Sequence, residues 1–140
     1  MRVVPDTNVY VSATLSDGSP SRVLELAEAG EIDIYISPFI FREVEDVLMR
    51  DKIPFGEDRV EKFVDKVLSM SSVVSPNYTP EVIDDDPSDN HILACALESE
   101  AEYVVSGDRH LLEVEEYEGI SIVEPAEFIG IVEWFTYTHC

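Results

Sequence analysis

Short runs rich in valine and isoleucine recur along this chain, and a stretch of helical periodicity follows each. The runs are RVVP at 2–5, DIYIS at 33–37, SVVS at 72–75, YVVS at 103–106 and ISIV at 120–123. Strands that alternate with helical patterns indicate βαβ units, in which crossover helices join parallel strands. The expectation is an α/β fold: a three-layer α/β/α sandwich around a central, mainly parallel five-stranded sheet, with about six helices. The chain has 140 residues, enough for a single domain over 1–140 with an ordinary core.

The helical stretches carry their own punctuation. Thr7 to about Leu15 forms the first, broken by DGSP. In SRVLELAEAG, opened by Pro20 and Ser21, Val23, Leu26 and Ala27 share a face, and Gly30 serves as the C-terminal cap. Ser37 caps the next, with Pro38 at its first position and Phe39, Val44, Val47 and Leu48 turned to the core. EDRVEKFVDKVLSM then sets Val60, Phe63, Val64, Val67 and Leu68 on one stripe. A helix from about Ser88 to Glu100, a short one around Leu111 and Leu112, and PAEFIGIVEWF from Pro125 complete the series.

Against this frame four acids stand out. Asp6 and Asp108 each end a valine-rich run, while Glu43 and Asp89 fall in the first turns of helices. Side chains at the carboxyl ends of parallel strands point into the crevice where α/β sheets bind ligands. Converging buried carboxylates raise one another's pKa and resist desolvation, so a cation is needed to neutralise them. All-oxygen donors select hard divalent ions, Mg²⁺ or Mn²⁺. Each acid also has a plainer reading. Asp6 opens D-T-N and is equally suited to capping a helix, and Asn8 is suited to orienting a carboxylate or capping. Glu43 shares its helix with Glu45 and Asp46, but adjoins core-facing Val44. In DDDPSDN, Ser88 is the expected cap and Asp89 the expected ligand, with Asp86 ranked behind it as a supporting residue or turn cap. Ser106 is placed to hydrogen-bond a ligand or a metal-bound water. His91 and His110 lack any metal-ligand spacing and read as partly exposed structural residues.

Composition narrows the setting. Thirty Asp+Glu against nine Lys+Arg give a formal charge of −21. The acids are spread through the apolar-periodic segments rather than gathered in a disordered tail. Such a surface repels polyanions and itself at ordinary ionic strength, which fits a salt-adapted organism in which the solvent does the screening. No run approaches the ~20 apolar residues that span a bilayer, and Met1 leads straight into RVVP without a secretory pattern. The expectation is a cytoplasmic protein with no membrane association. Cys95 reads as a small core residue and Cys140 as a free terminal thiol; the pair forms neither a disulfide framework nor a zinc site. G-x-S-x-G, P-loop and G-x-G-x-x-G patterns are absent.

Four blocks in order, VVPDTNVYVSATL, ISPFIFREVEDVLMR, DDDPSDNHILACALESEAEYVVSGDRHLL and YEGISIVEPAEFI, resemble the PIN domain family, above all its VapC-like toxins. The resemblance implies a metal-dependent ribonuclease with Mg²⁺ or Mn²⁺ as cofactor and RNA as substrate. It carries the family's acids onto Asp6, Glu43, Asp89 and Asp108. Asp6, Asp89 and Asp108 would hold the metal, and Glu43 would position a ligand or the attacking water. It further implies an antitoxin partner and a homodimer, for which the apolar Ile129, Ile131, Val132, Trp134, Phe135 and Tyr137 offer a surface. A housekeeping RNA-processing nuclease and a non-catalytic interaction module on the same fold are the alternatives. Receiver domains and aspartate-nucleophile phosphatases require a late lysine, whereas the last here is Lys66.

Overall fold

The computed structural model describes residues 1–50 and 56–139. Cys140 and the segment at 51–55, where a break between helices was expected, lie outside the described residues. In chain order the elements are β1 (Arg2–Pro5), α1 (Thr7–Leu15), α2 (Ser19–Glu28), β2 (Asp33–Ile36), α3 (Pro38–Arg50), α4 (Glu57–Met70), β3 (Ser71–Val73), α5 (Asp89–Ser99), β4 (Tyr103–Val105), α6 (Arg109–Val114), β5 (Glu116–Tyr117), β6 (Ile120–Val123) and α7 (Pro125–His139).

These strands form one sheet in the order β3-β2-β1-β4-β6-β5. All neighbours are parallel except β5, which runs antiparallel to β6. The sheet thus has six strands where five were expected. The extra one is two residues long and follows no apolar run. A turn makes it: Glu118 and Gly119 both take positive φ, 51° and 81°, which suits a tight hairpin returning into β6. Counting the short α6 separately, the described residues contain seven helices rather than about six.

Val3 and Val4 on the central strand are both fully buried. Consecutive strand residues face opposite sides of a sheet, so both faces of β1 are covered and the sandwich has three layers. The core joins Val104 and Val105 of β4, Ile34 and Ile36 of β2, and Ile92, Leu93 and Cys95 of α5. Burial pushes the Cys95 thiol up to about 12, with a hydrogen bond to Ser37 pulling the other way. Ser37 Oγ also accepts from the Ile40 amide at 3.3 Å and so caps α3. On that helix Ile40, Val44 and Leu48 are the buried positions. Phe39 and Val47, expected in the core, are only partly covered, and Leu68 of α4 is 40% exposed.

Strand order decides where a site can form. From β1 the chain builds outward to β2 and β3, then returns to place β4 on the other side of β1. The β1–β4 boundary is therefore the switch point at which α/β sheets leave a crevice beyond the carboxyl ends. Pro5 pairs with Val105 at those ends, and the Asp6 amide continues the ladder by donating to the Val105 carbonyl at 2.9 Å.

Candidate metal centre

Asp6 leaves β1 at the switch point and is only 3% exposed. It occupies the N-cap position of α1, yet its side chain makes no capping hydrogen bond. Its Oδ2 instead accepts from Ser106 Oγ at 2.7 Å, and the same hydroxyl accepts from the Asp108 amide at 2.9 Å. Ser106 is fully buried and so ties the end of β1 to the turn after β4. Asp108 caps α6: its Oδ1 accepts from the amides of His110 at 2.8 Å and Leu111 at 3.3 Å.

Asp89 and Asp86 come from the start of α5, which runs back toward β4 and so presents its N-terminus at the carboxyl edge. The Ser88 side chain does not cap this helix. Instead, Asp86 Oδ1 accepts from both the Ser88 amide at 3.2 Å and the Ser88 hydroxyl at 2.6 Å. Asp89 Oδ2 is buried with no hydrogen-bond partner. Glu43 reaches in from α3, where Thr7 Oγ1 donates to its Oε1 at 2.5 Å.

Asp86, Asp89 and Asp108 each bring one carboxylate oxygen to within 4.8 Å of the others. Asp6 and Glu43 form a second line around this trio, close enough to be felt electrostatically. Burial pushes the Asp6 carboxyl up to about 6; the Ser106 hydrogen bond and Thr7 amide oppose it, while the charges of Asp108 and Glu43 add to it. Burial likewise raises Asp89, and the charges of Asp108, Asp6 and Asp86 push the same way, as does a hydrogen bond with Asp108. In Asp86, Asp108 and Glu43 one oxygen is engaged by the hydrogen bonds described, which fix the carboxylate and leave its second oxygen available to a ligand.

All four acids singled out in the sequence therefore stand at one crevice, with Asp86 closer to Asp89 and Asp108 than its rank suggested. Ser106 holds two of the acids rather than facing a ligand alone. Asn8 is exposed and outside the described hydrogen bonds, and the residue that orients a carboxylate is its neighbour Thr7. The histidines stand aside: His91 stacks on Phe39, and His110 Nδ1 lies 3.7 Å from Asp85 Oδ2. A divalent cation fits this donor set. Among the described residues three carboxylates converge without a counter-charge, one buried oxygen lacks a partner, and every donor is a hard oxygen.

A family model described as a PIN domain matches residues 2–110. The chain belongs to the PIN domain family. The matched span contains Asp6, Glu43, Asp86, Asp89 and Asp108, so the whole crevice lies within the PIN domain. Three solved structures share the architecture. VapBC2 from Rickettsia felis, bound to a DNA fragment from their promoter, is similar with a TM-score of 0.61 at 18% identity, over 87% of this chain and 97% of that one. FitAcB from Neisseria gonorrhoeae gives 0.56 at 14% identity, over 89% of this chain and 98% of that one. PAE2754 from Pyrobaculum aerophilum gives 0.59 at 16% identity, over 94% and 88% respectively. At such identities the likeness speaks for the fold. No curated protein matches the chain.

Proposed function

We propose that this PIN domain is a divalent-metal-dependent endoribonuclease acting in the cytoplasm as the toxin of a toxin–antitoxin pair. The observation that carries the reading is the trio of Asp86, Asp89 and Asp108, with the buried Asp89 Oδ2 left without a partner. Asp89 and Asp108 would hold Mg²⁺ or Mn²⁺, with Asp86 beside them and Asp6 completing the charge. A bound ion supplies an activated water and polarises the phosphoryl oxygen. Ser106 keeps Asp6 and Asp108 in register, so the donor set is formed before any ligand arrives. Glu43, held by Thr7 and less buried than Asp6 and Asp89, is the acid positioned to orient water and take up its proton. Since no histidine enters the trio, proton handling falls to carboxylates.

The toxin assignment draws on the resemblance to VapC-like proteins and on VapBC2 among the structural neighbours. A small open reading frame just upstream, whose product co-purifies with this chain, is the expected sign of an antitoxin. For the homodimer, α7 divides in two. Val132 closes the core, with Ile129 and Ile131 packed against it, whereas Trp134, Phe135 and Tyr137 are exposed and free to meet a second copy. Light scattering at high salt should return a dimer mass; a monomer removes that part of the proposal.

The deciding assay is cleavage of a labelled RNA with Mn²⁺ and again with EDTA. Metal-dependent cleavage that Asp89→Asn abolishes is expected. Cleavage indifferent to EDTA, or none by a folded, metal-loaded protein, overturns the nuclease reading.

A further inference from the structure

The two rims of the acid cluster are unlike. On one side Asp84, Asp85 and Asp86 follow one another, with the Asp85 side chain 80% exposed. On the other, α3 borders a groove of about 410 Å³ lined by Phe39, Arg42, Glu43, Asp46, Val47 and Arg50. Glu43, which stands in the second line beside Asp6, also lines this groove, so the groove opens next to the acids.

Two features of this groove suit a strand of nucleic acid. The Phe39 ring stacks on His91 with centroids 3.8 Å apart and planes 15° from parallel. Phe39 lies one turn before Glu43 and His91 two residues after Asp89, so the ring pair joins α3 to α5 beside the site. Both rings remain partly exposed. The second feature is Arg42. It is exposed, its Nε donates to the Pro38 carbonyl at 3.3 Å, and it has no acidic partner among the described residues. By contrast Arg2, Arg22, Lys66 and Arg109 are all ion-paired. In a chain with thirty acids to nine Lys+Arg, an arginine left without an acid beside the acid site calls for an anionic partner.

We propose that this groove seats the nucleotide flanking the scissile phosphate of a single-stranded RNA, with its base on the Phe39–His91 ring pair and its phosphate on the Arg42 guanidinium. The proposal rests on the nuclease reading above and adds the path by which substrate enters. Every base offers a π-face, so the platform is tolerant of sequence, and the guanidinium fork matches phosphate oxygens in pairs. A duplex, whose bases are already stacked, gains nothing from it. Approach over α3 meets the exposed Arg42 guanidinium beside Glu43 and Asp46, while approach over 84–86 meets three carboxylates in a row, so the strand enters from α3.

The test uses the whole protein with Mn²⁺ in 1 M KCl and a short RNA carrying 5-iodouracil, which crosslinks to aromatic rings under light. Crosslinks at Phe39 or His91 are expected. Phe39→Leu and Arg42→Ala should each raise KM for a fluorogenic RNA roughly ten-fold, with kcat little changed. Their Mn²⁺-induced rise in Tm should persist, showing that fold and metal site are intact. Cleavage with crosslinks only at 84–86 or α6, or unchanged KM in both variants, overturns the groove and leaves the nuclease reading standing. Crosslinks at Phe39 without cleavage do the reverse. Neither cleavage nor crosslink removes both. Protection of Arg42 by a co-expressed partner protein, with no RNA crosslink there, assigns the groove to that partner and overturns the proposal.

Discussion

The acids of this chain sit in two kinds of place, and the same carboxyl group behaves oppositely in each. Surface acids such as Glu100 and Asp85, with side chains 85% and 80% exposed, keep their hydration. Their repulsion is long-range and fades as the Debye length shrinks from ~10 Å to ~3 Å between 0.1 M and 1 M salt. Asp6 and Asp89, at 3% and 5% exposed, have lost most of theirs. Bulk salt cannot reach that repulsion; only a proton or a cation seated among the carboxylates removes it. Monovalent salt should therefore stabilise the surface and a divalent ion the crevice, and the two remedies should not substitute for one another.

The largest effect expected is on cleavage. Asp89→Asn should lower the rate at least roughly 100-fold while raising the Tm of the metal-free protein, because it takes an ionisable group out of a cluster of acids that repel one another unless a cation is bound. Loss of activity together with a lower Tm would make Asp89 a structural residue and erase the contrast between crevice and surface.

A pH series separates the two populations next. Asp6 is raised from 3.8 to about 6 and Asp89 is raised as well, so the folded metal-free protein binds protons more tightly than the unfolded chain. Stability from these groups is fully present below pH 3.8 and is lost as pH climbs through 6 and beyond, by at most about 3 kcal/mol for Asp6. Thermal melts in EDTA should fall in that direction. Working in 1 M KCl removes the surface share of the slope, and saturating Mn²⁺ removes the crevice share. A slope that survives in the Asp6→Asn plus Asp89→Asn double variant would place its origin elsewhere.

Salt alone should act on the surface population. Stability and RNA cleavage at fixed Mn²⁺ are both expected to rise between about 0.1 M and 1 M KCl, because the chain offers few basic contacts whose loss would offset the screening. Activity that peaks at low salt would show instead that local basic contacts, Arg42 among them, outweigh the overall charge.

How far this contrast was legible in the sequence depends on the distance over which a residue acts. Asp6 and Asp108 could be placed because an apolar run ending in a polar residue marks a strand end within a few positions. Asp89 could be placed by the helix that follows it. Ser106 could be named but not given its role, and Thr7 could be read only as the start of α1. The Ser106–Asp6 hydrogen bond spans 100 residues and exists only because β4 pairs with β1. Asp86 was ranked low because its closeness to Asp108 arises from the same pairing. Phe39 was placed in the core on helical spacing, but a shift of one position gives that place to Ile40 and leaves Phe39 to meet His91. The strand β5 was missed because a positive-φ turn makes it, not an apolar run. In α7 the apolar content was plain, but its division into a buried half and an exposed half depends on where α2 stops covering it.

A smaller effect probes how the crevice is held. Ser106→Ala removes the hydroxyl between Asp6 and the Asp108 amide, and should cost about 1 kcal/mol of stability and about ten-fold in metal affinity. Equal Mn²⁺ affinity in the variant would mean that the acids hold their positions without it.

The most direct measurement is calorimetric titration of Mn²⁺ at pH 7 in 1 M KCl, repeated in buffers of different ionisation enthalpy. High salt suppresses loose association with surface acids, and comparing buffers counts the protons displaced. Because burial and the charges of Asp108, Asp6 and Asp86 raise the Asp89 carboxyl to about 8, it carries a proton at pH 7 when no cation is bound, and saturable binding should release it. The Asp6→Asn plus Asp89→Asn variant should show neither the binding nor the release. Saturable binding without proton release, or binding that persists unchanged in the double variant, would contradict the assignment of the buried carboxylates as the metal site.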